Sequence, residues 1–277
     1  MSDGTDNSGQ AGRSDQNPQV TREEHEGPIY PQNVKFVGRA LIVNNDTFKG
    51  DSKKGVYRSG SDIDVKEIYD LLLKLGFTER NIVRRENLTK KELKHEITEA
   101  AGQKYDDYGC FLCVIMSFGE PGIIICPGKN DQPDERCELK DIQSPFTGEK
   151  CRTLATKPKI YFIMGSDNYI RKDVSEGGKP SQPPFVPETK KIPRECNFIT
   201  HYSTETDQGN WNRKKASPYI EAVIKAFKTH VLGGGDMDIL KLLTRINRIM
   251  AEEHASIPLV TSLLTKRYHF RPRVQVS

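Results

Sequence analysis

The chain has no apolar run near the ~18–20 residues that a membrane-spanning helix needs. Its 277 residues are 35% hydrophobic and 29% charged, and the mean hydropathy is −0.65. It also lacks an apolar signal core. The first residues read MSDGTDNSGQAGRSDQ, acidic and polar, with no Arg-rich transit pattern. A soluble cytoplasmic protein with no membrane partner is expected. Long blocks of Lys or Arg are missing too: the net charge is +4, and the basic residues occur in short pairs such as Lys190-Lys191 and Lys214-Lys215. Without a tract that follows phosphates, nucleic acid is not expected as a partner.

Cysteine is sparse, with six residues. Without a secretory signal these are expected to be reduced, buried thiols. Cys110 and Cys113 have C-x-x-C spacing, but residues three apart on a strand point to opposite faces, so the pair cannot readily clamp one metal. No metal or cofactor is expected.

What is present is an alternation of apolar runs and capped amphipathic stretches. Residues 1–33 are rich in Ser, Asp, Gln, Gly and Asn, which marks a disordered tail by composition. Order is expected from Val34. GRALIVNN (Gly38 to Asn45) reads as a short apolar strand. Ser61 is placed to cap a helix with Asp64 as its reciprocal partner, Val65, Ile68, Leu71, Leu72 and Leu75 form one face, and Gly76 ends it. A strand at Asn81 to Arg84 and a second helix follow, the helix boxed by Thr89 and Glu92 and striped by Leu93, Ile97 and Ala100.

Cys110 to Met116 and Lys159 to Gly165 read as buried parallel strands. Residues 169–191 hold Gly177-Gly178 and four prolines, the composition of a linker. Order resumes at Cys196 to Ser203. Ser217 with Pro218 starts a helix that stops at Gly233-Gly234-Gly235, a helix spans Met237 to Met250, and a strand lies near Leu259 to Leu264. About six strands with helices between them argue an α/β fold.

Six segments, in order, resemble the caspase family. GRALIVNN is similar to its first strand. YRSGSDIDVKEIYDLLLKLGF resembles the R-x-G-S loop and first helix, and YGCFLCVIMSFGE resembles the strand that ends in Ser-His-Gly. KPKIYFIMGSDN sits where the nucleophile strand ends in Gln-Ala-Cys-Arg-Gly. IPRECNFITHYST is similar to the start of the small subunit, and IPLVTSLLTKRYHF to its end. The resemblance implies a central six-stranded, mostly parallel sheet flanked by helices. It divides the chain into a large-subunit-like part (34–168), a linker (169–191) and a small-subunit-like part (192–277).

The family signature is Q-A-C-[RQG]-G with a histidine about 50 residues upstream. Position 118 lies 48 residues before position 166, so the spacing fits, but the residues differ. Phe118 stands where the resemblance puts the general base. Met164, Gly165, Ser166, Asp167 and Asn168 replace the pentapeptide, with Ser166 at the nucleophile. A cysteine protease needs a thiolate that an adjacent histidine helps to generate. Phenylalanine neither accepts nor donates that proton, and a lone serine is almost un-ionised at neutral pH. Losing one member of such a pair costs several orders of magnitude in rate.

The implied substrate pocket has changed as well. The family grips a substrate aspartate with two arginines and the glutamine of the pentapeptide. Arg58 keeps the first arginine and Met164 removes the glutamine. Asn212 or Trp211 takes the second arginine's place, depending on whether the alignment runs from the tryptophan or back from Ser217; Arg213 reaches it only through a register shift. A carboxylate with one cation is poorly compensated, and Asp167 adds repulsion. Arg58 then reads as a relic or a structural residue. Ser117 and Gly119 outline the old oxyanion hole.

A serine hydrolase using Ser166 is the enzyme alternative. The G-x-S-x-G elbow is absent, and His201 is the histidine expected on a strand. The resemblance is to catalytically inactive decoy caspases, as of insects, and to the FLICE-like inhibitory proteins of vertebrates. It implies a non-proteolytic regulator of apoptosis that pairs with an active caspase, or with itself, through Leu259, Val260, Thr261, Ser262, Leu263 and Leu264 across a two-fold axis. A caspase-fold scaffold without a caspase partner is the third reading. The short tail resembles that of effector caspases. Asp173, preceded by Ile-Arg-Lys, is an unpromising cleavage context, so the linker is expected to stay intact.

Overall fold

The computed structural model describes residues 27–49, 56–166, 196–205 and 215–273. Its strands are β1 (Phe36–Asn44), β2 (Thr47–Phe48), β3 (Val56–Tyr57), β4 (Ile82–Glu86), β5 (Tyr108–Glu120), β6 (Ile123–Cys126), β7 (Glu135–Glu138), β8 (Lys159–Ser166), β9 (Phe198–Glu205) and β10 (Leu259–Ser262). Its α-helices are α1 (Ser61–Lys74), α2 (Lys90–Ala101), α3 (Leu139–Gln143), α4 (Pro218–Phe227) and α5 (Ile239–His254).

The central sheet runs β10-β9-β8-β5-β1-β4. All its neighbours are parallel except the β9–β10 pair, which is antiparallel. β5 is apolar nearly throughout because both sheet faces are covered. Leu112, Val114 and Met116 pack on one side with α1, α4 and α5. Phe111, Cys113 and Ile115 pack on the other, with Leu93 and Ile97 of α2 and Ile142 of α3. Cys110 and Cys113 fall on opposite faces, as strand alternation requires. β6 and β7 form an antiparallel extension at the carboxyl end of β5.

Local signals set most of the helix ends. Thr89 and Glu92 close the expected capping box: the Glu92 N–H donates to Thr89 Oγ1 at 3.3 Å and the Thr89 N–H to Glu92 Oε2 at 2.9 Å. Ser217 caps α4, with Pro218 in its first turn. Past Phe227 the chain widens into a π-helical turn, Lys228–Leu232, before the glycines. Asp238 caps α5 by accepting from the Leu240 N–H at 2.9 Å, and the helix runs on to His254.

Three expectations need correction. Ser61 does not cap α1. Gly60 does, with φ 86° and no side-chain bond, a conformation that glycine adopts without strain. Ser61 instead accepts from Asn44 Nδ2 at 3.0 Å, and Asp64 turns into the core to accept the Ser217 N–H at 2.6 Å. Second, the packed chain begins before Val34. Tyr30 is buried and its hydroxyl donates to Asn197 Oδ1, while Ile29 bridges Arg267. Third, the last strand closes at Ser262. Leu263 keeps two backbone bonds, to Phe198 O at 2.8 Å and from the Asn197 N–H at 2.7 Å, whereas Leu264 lies beyond the ladder.

Candidate functional site

Ligands of open parallel sheets gather beyond the carboxyl ends of the strands. At that end β5 and β8 run side by side, and their register pairs Phe118 with Ser166. Ser166 thus meets its partner position across one inter-strand step. The Phe118 side chain is 5% exposed and packs against Phe48 at a centroid distance of 4.7 Å, with Ile125 beside it. Phe48 is brought there by the β2–β3 ribbon. Burying a ring of this size contributes about 1.5–3 kcal/mol, and the tilted pair adds about 0.5–1.5 kcal/mol. At this position the ring serves packing. It has no proton to give or take.

The flanking residues are structural. Ser117 donates to Ile125 O at 2.6 Å and lies 3.3 Å from Asn45 Nδ2, so its hydroxyl fastens β5 to β6. Gly119 pairs with Ile124, and a Cβ there would collide with Ile123 O. The caspase-domain family model matches residues 37–269. The chain belongs to this family.

Its relatives include caspase-7 of Gallus gallus, 29% identical over 259 residues, covering 87% of this chain and 79% of that one. Caspase-3 of Bos taurus is 28% identical over 267 residues, covering 91% and 89%. Among solved structures, pro-sf-caspase-1 superposes with a TM-score of 0.70 at 24% identity, covering 95% of this chain and 99% of that one. Caspase-1 from Spodoptera frugiperda gives 0.69 at 26%, covering 91% and 96%. The caspase-like α/β fold, with a mostly parallel central sheet between helices, is therefore shared.

Where the caspase resemblance puts an aspartate pocket, the described residues form a closed cluster. Arg58 is 4% exposed. Its Nη1 donates to Asn45 O at 3.0 Å and Asn44 Oδ1 at 3.2 Å, and its backbone N–H donates to Asp46 O. Met164, at the glutamine position, is buried, with its Sδ 3.9 Å from Arg58 Nη2 and 3.1 Å from Ser217 Oγ. A thioether is a weak acceptor for two good donors. Asp64 lies close to this cluster. Burial pushes its carboxyl up to about 6, against the Ser217 N–H and the Arg58 charge, which pull it down. Trp211 and Asn212, and with them Asp167, Asn168, Arg213 and Asp173, lie outside the described residues.

Tyr202 of β9 belongs to the site, although no motif in the sequence marks it. It reaches the Gly165 and Gly119 positions: a Cβ on Gly165 would collide with its hydroxyl, and one on Gly119 would lie 3.1 Å from it. The Tyr202 hydroxyl also lies 3.4 Å from Ile123 O. This ring therefore fills the sheet face opposite the Phe118 side.

Replacement chemistry is hard to assemble here. His201 pairs with Phe162, four residues before Ser166 and hence about 13 Å along the strand direction. Its Nδ1 is 2.9 Å from the Tyr219 hydroxyl and its Nε2 is 2.9 Å from Asn247 Oδ1, so both nitrogens are engaged. Burial pushes its pKa down to about 4. All six cysteines are free and buried, and burial raises the Cys110 thiol to about 12 and the Cys113 thiol as well. Cys110 and Cys113 are therefore poor nucleophiles, whereas the hydrogen bond with Cys126 holds the Cys137 thiol below its ordinary value.

At the other end of the sheet, β10 pairs only β9 among the described residues. Leu259 is 56% exposed, Leu263 45% and Ile257 70%. No helix among the described residues is long and apolar enough to cross a membrane.

Proposed function

We propose that this caspase homologue is non-proteolytic and regulates an active caspase in apoptosis by pairing with it through the β10 edge. The observation that carries the reading is Phe118, a buried ring in register with Ser166. The general base and the thiol of a cysteine protease are both replaced while the sheet around them is intact. The edge strand supports the second half. An open backbone ladder with exposed Leu259 and Leu263 is a surface that a similar strand extends, and an isologous contact accepts a related chain as well as an identical one. The pair would act by biasing the partner's conformational equilibrium.

The test titrates the purified protein into a closely related active caspase while following peptide cleavage and the mass of the species formed. A mixed dimer with a saturable change in rate is expected, and its direction gives the sign of regulation. An unchanged rate at saturation with no mixed dimer overturns the proposal. Labelling of Ser166 by an active-site phosphonate, lost in Ser166→Ala, would show a serine hydrolase instead.

A further inference from the structure

The sheet edge far from β10 carries a second constellation, one that neither the catalytic positions nor the pairing edge uses. A cleft of about 270 Å³ opens between α2 and the β1–β4 strands, lined by Arg39, Arg80, Asn81, Arg85, Glu96 and Glu99 among others. Arg39 and Asn81 are brought together by the parallel register that pairs Ala40 with Ile82.

Two donors on the strand side, Arg39 Nε and Asn81 Nδ2, are buried without an acceptor among the described residues. Arg39 sits over the Tyr108 ring, with Cζ 4.4 Å from its centroid and 6.0 Å from that of Tyr105. Among the described residues it has no carboxylate partner, and its Nε is buried with no hydrogen bond. Asn81 is 4% exposed. Its Oδ1 is satisfied by the Tyr108 hydroxyl at 3.2 Å, while its Nδ2 is buried with no partner among the described residues. Arg80 stacks on Phe36 at 4.9 Å and makes no ion pair among the described residues. On the helix side, Glu96 is already tied to Arg85 at 2.8 Å, and Glu99 lines the wall.

A buried donor left unpaired has lost its water without gaining a partner, which is costly. Arg39 and Asn81, which carry these two donors, line one cleft wall with Arg80, and both arginines are held by aromatic rings and not by carboxylates. That arrangement suits a ligand that only accepts and carries negative charge. The guanidinium fork favours a planar or tetrahedral oxyanion. The volume is a little under the ~300 Å³ at which drug-sized pockets begin, so the ligand is small.

We propose that this cleft binds a phosphate group, free or as a small phosphomonoester, with Arg39, Arg80 and Asn81 as its donors. The site is independent of the pairing edge, so its occupancy reads separately from any effect on a caspase.

The test follows thermal unfolding of the full chain against inorganic phosphate, a simple alkyl phosphate, acetate and chloride at matched ionic strength. Saturable stabilisation by phosphate beyond chloride is expected, since a ligand of the folded state raises the midpoint. Alkyl phosphate binding as well as inorganic phosphate identifies an ester as the ligand, and failure to bind restricts the site to the free ion. Arg80→Gln, at an exposed position, and Arg39→Gln are each expected to weaken phosphate about tenfold or more, as loss of a charge-assisted bond does. Phosphorus NMR line broadening on adding the protein gives a second readout should Arg39→Gln fold poorly. Equal midpoints in phosphate and chloride, acetate binding as tightly as phosphate, or Arg80→Gln binding like the parent overturns the proposal. So does a crystal grown in high phosphate that shows only water in the cleft.

Discussion

The hydroxyl of Tyr202 occupies the place that a Cβ on Gly165 would take. The two residues sit on neighbouring parallel strands, β9 and β8, with Tyr202 in register with Ile163. Gly165→Ala, which moves the sequence toward the family pentapeptide, therefore drives a methyl group into a ring. It is expected to destabilise the fold by about 1–3 kcal/mol, the usual cost of overpacking. Tyr202→Phe in the same chain removes the nearest atom but leaves a ring carbon 2.8 Å from the new methyl group, so it recovers only part of the loss. Urea midpoints measure both. A Gly165→Ala variant within about 0.5 kcal/mol of the parent, the range of an ordinary surface change, would show that the ring moves aside freely.

Placing histidine at position 118 and cysteine at position 166 is expected not to make the chain a protease. In Phe118→His/Ser166→Cys the imidazole and thiol stand in register, so the thiol should alkylate faster than in Ser166→Cys alone. The pocket still has Met164 against Arg58 and Ser217. Turnover of an aspartyl peptide should stay near the parent's background. A gain of about a thousandfold or more, the scale of a working acid–base pair, would mean that the closed cluster opens to substrate. The exchange also costs stability, because histidine gives up the contact with Phe48.

Asp64 and His201 are expected to pull stability in opposite directions over one pH window. Asp64 is raised from 3.8 to about 6, so the folded state holds its proton longer than the unfolded chain does. Its contribution is full below about pH 4 and is lost as pH rises through 6. His201 is lowered from 6.5 to about 4, so its contribution is present above pH 6.5 and lost as pH falls through 4. At about 1.4 kcal/mol per unit, each is worth roughly 3 kcal/mol, and they largely cancel. Asp64→Asn should make stability climb from pH 4 to 6.5, and His201→Gln should make it fall over the same range. Chemical unfolding across that range checks both slopes. If the two variants tilt the profile the same way, the burial account is wrong.

Short-range signals were the legible ones. The apolar run of β5 and the Thr89–Glu92 box are set by residues within a few positions of each other, and the structure has both. Asp64 misled because its partner, Ser217, is 153 residues away and reachable only through the sheet. The pairing of Phe118 with Ser166 followed from a family spacing of 48 residues, which no periodicity contains. Tyr202 over Gly165, and the donors of Arg39 and Asn81 in one cleft, depend on strand neighbours that are themselves set by topology. They had no local signature at all.

The β10 edge gives the remaining expectation. Leu259 and Leu263 are exposed, so replacing them perturbs few contacts within the chain. Leu259→Glu and Leu263→Glu should each leave the unfolding midpoint within about 0.5 kcal/mol of the parent. Across a two-fold axis each change is made twice, and charges directly opposite on paired strands repel. Self-association by sedimentation should therefore weaken sharply in the double variant and return when one copy carries lysine at the same two positions. An intact assembly in the double glutamate variant would place pairing on another face. Loss of assembly that lysine does not rescue would make the effect one of lost apolar contact, with no antiparallel strand pair across the axis.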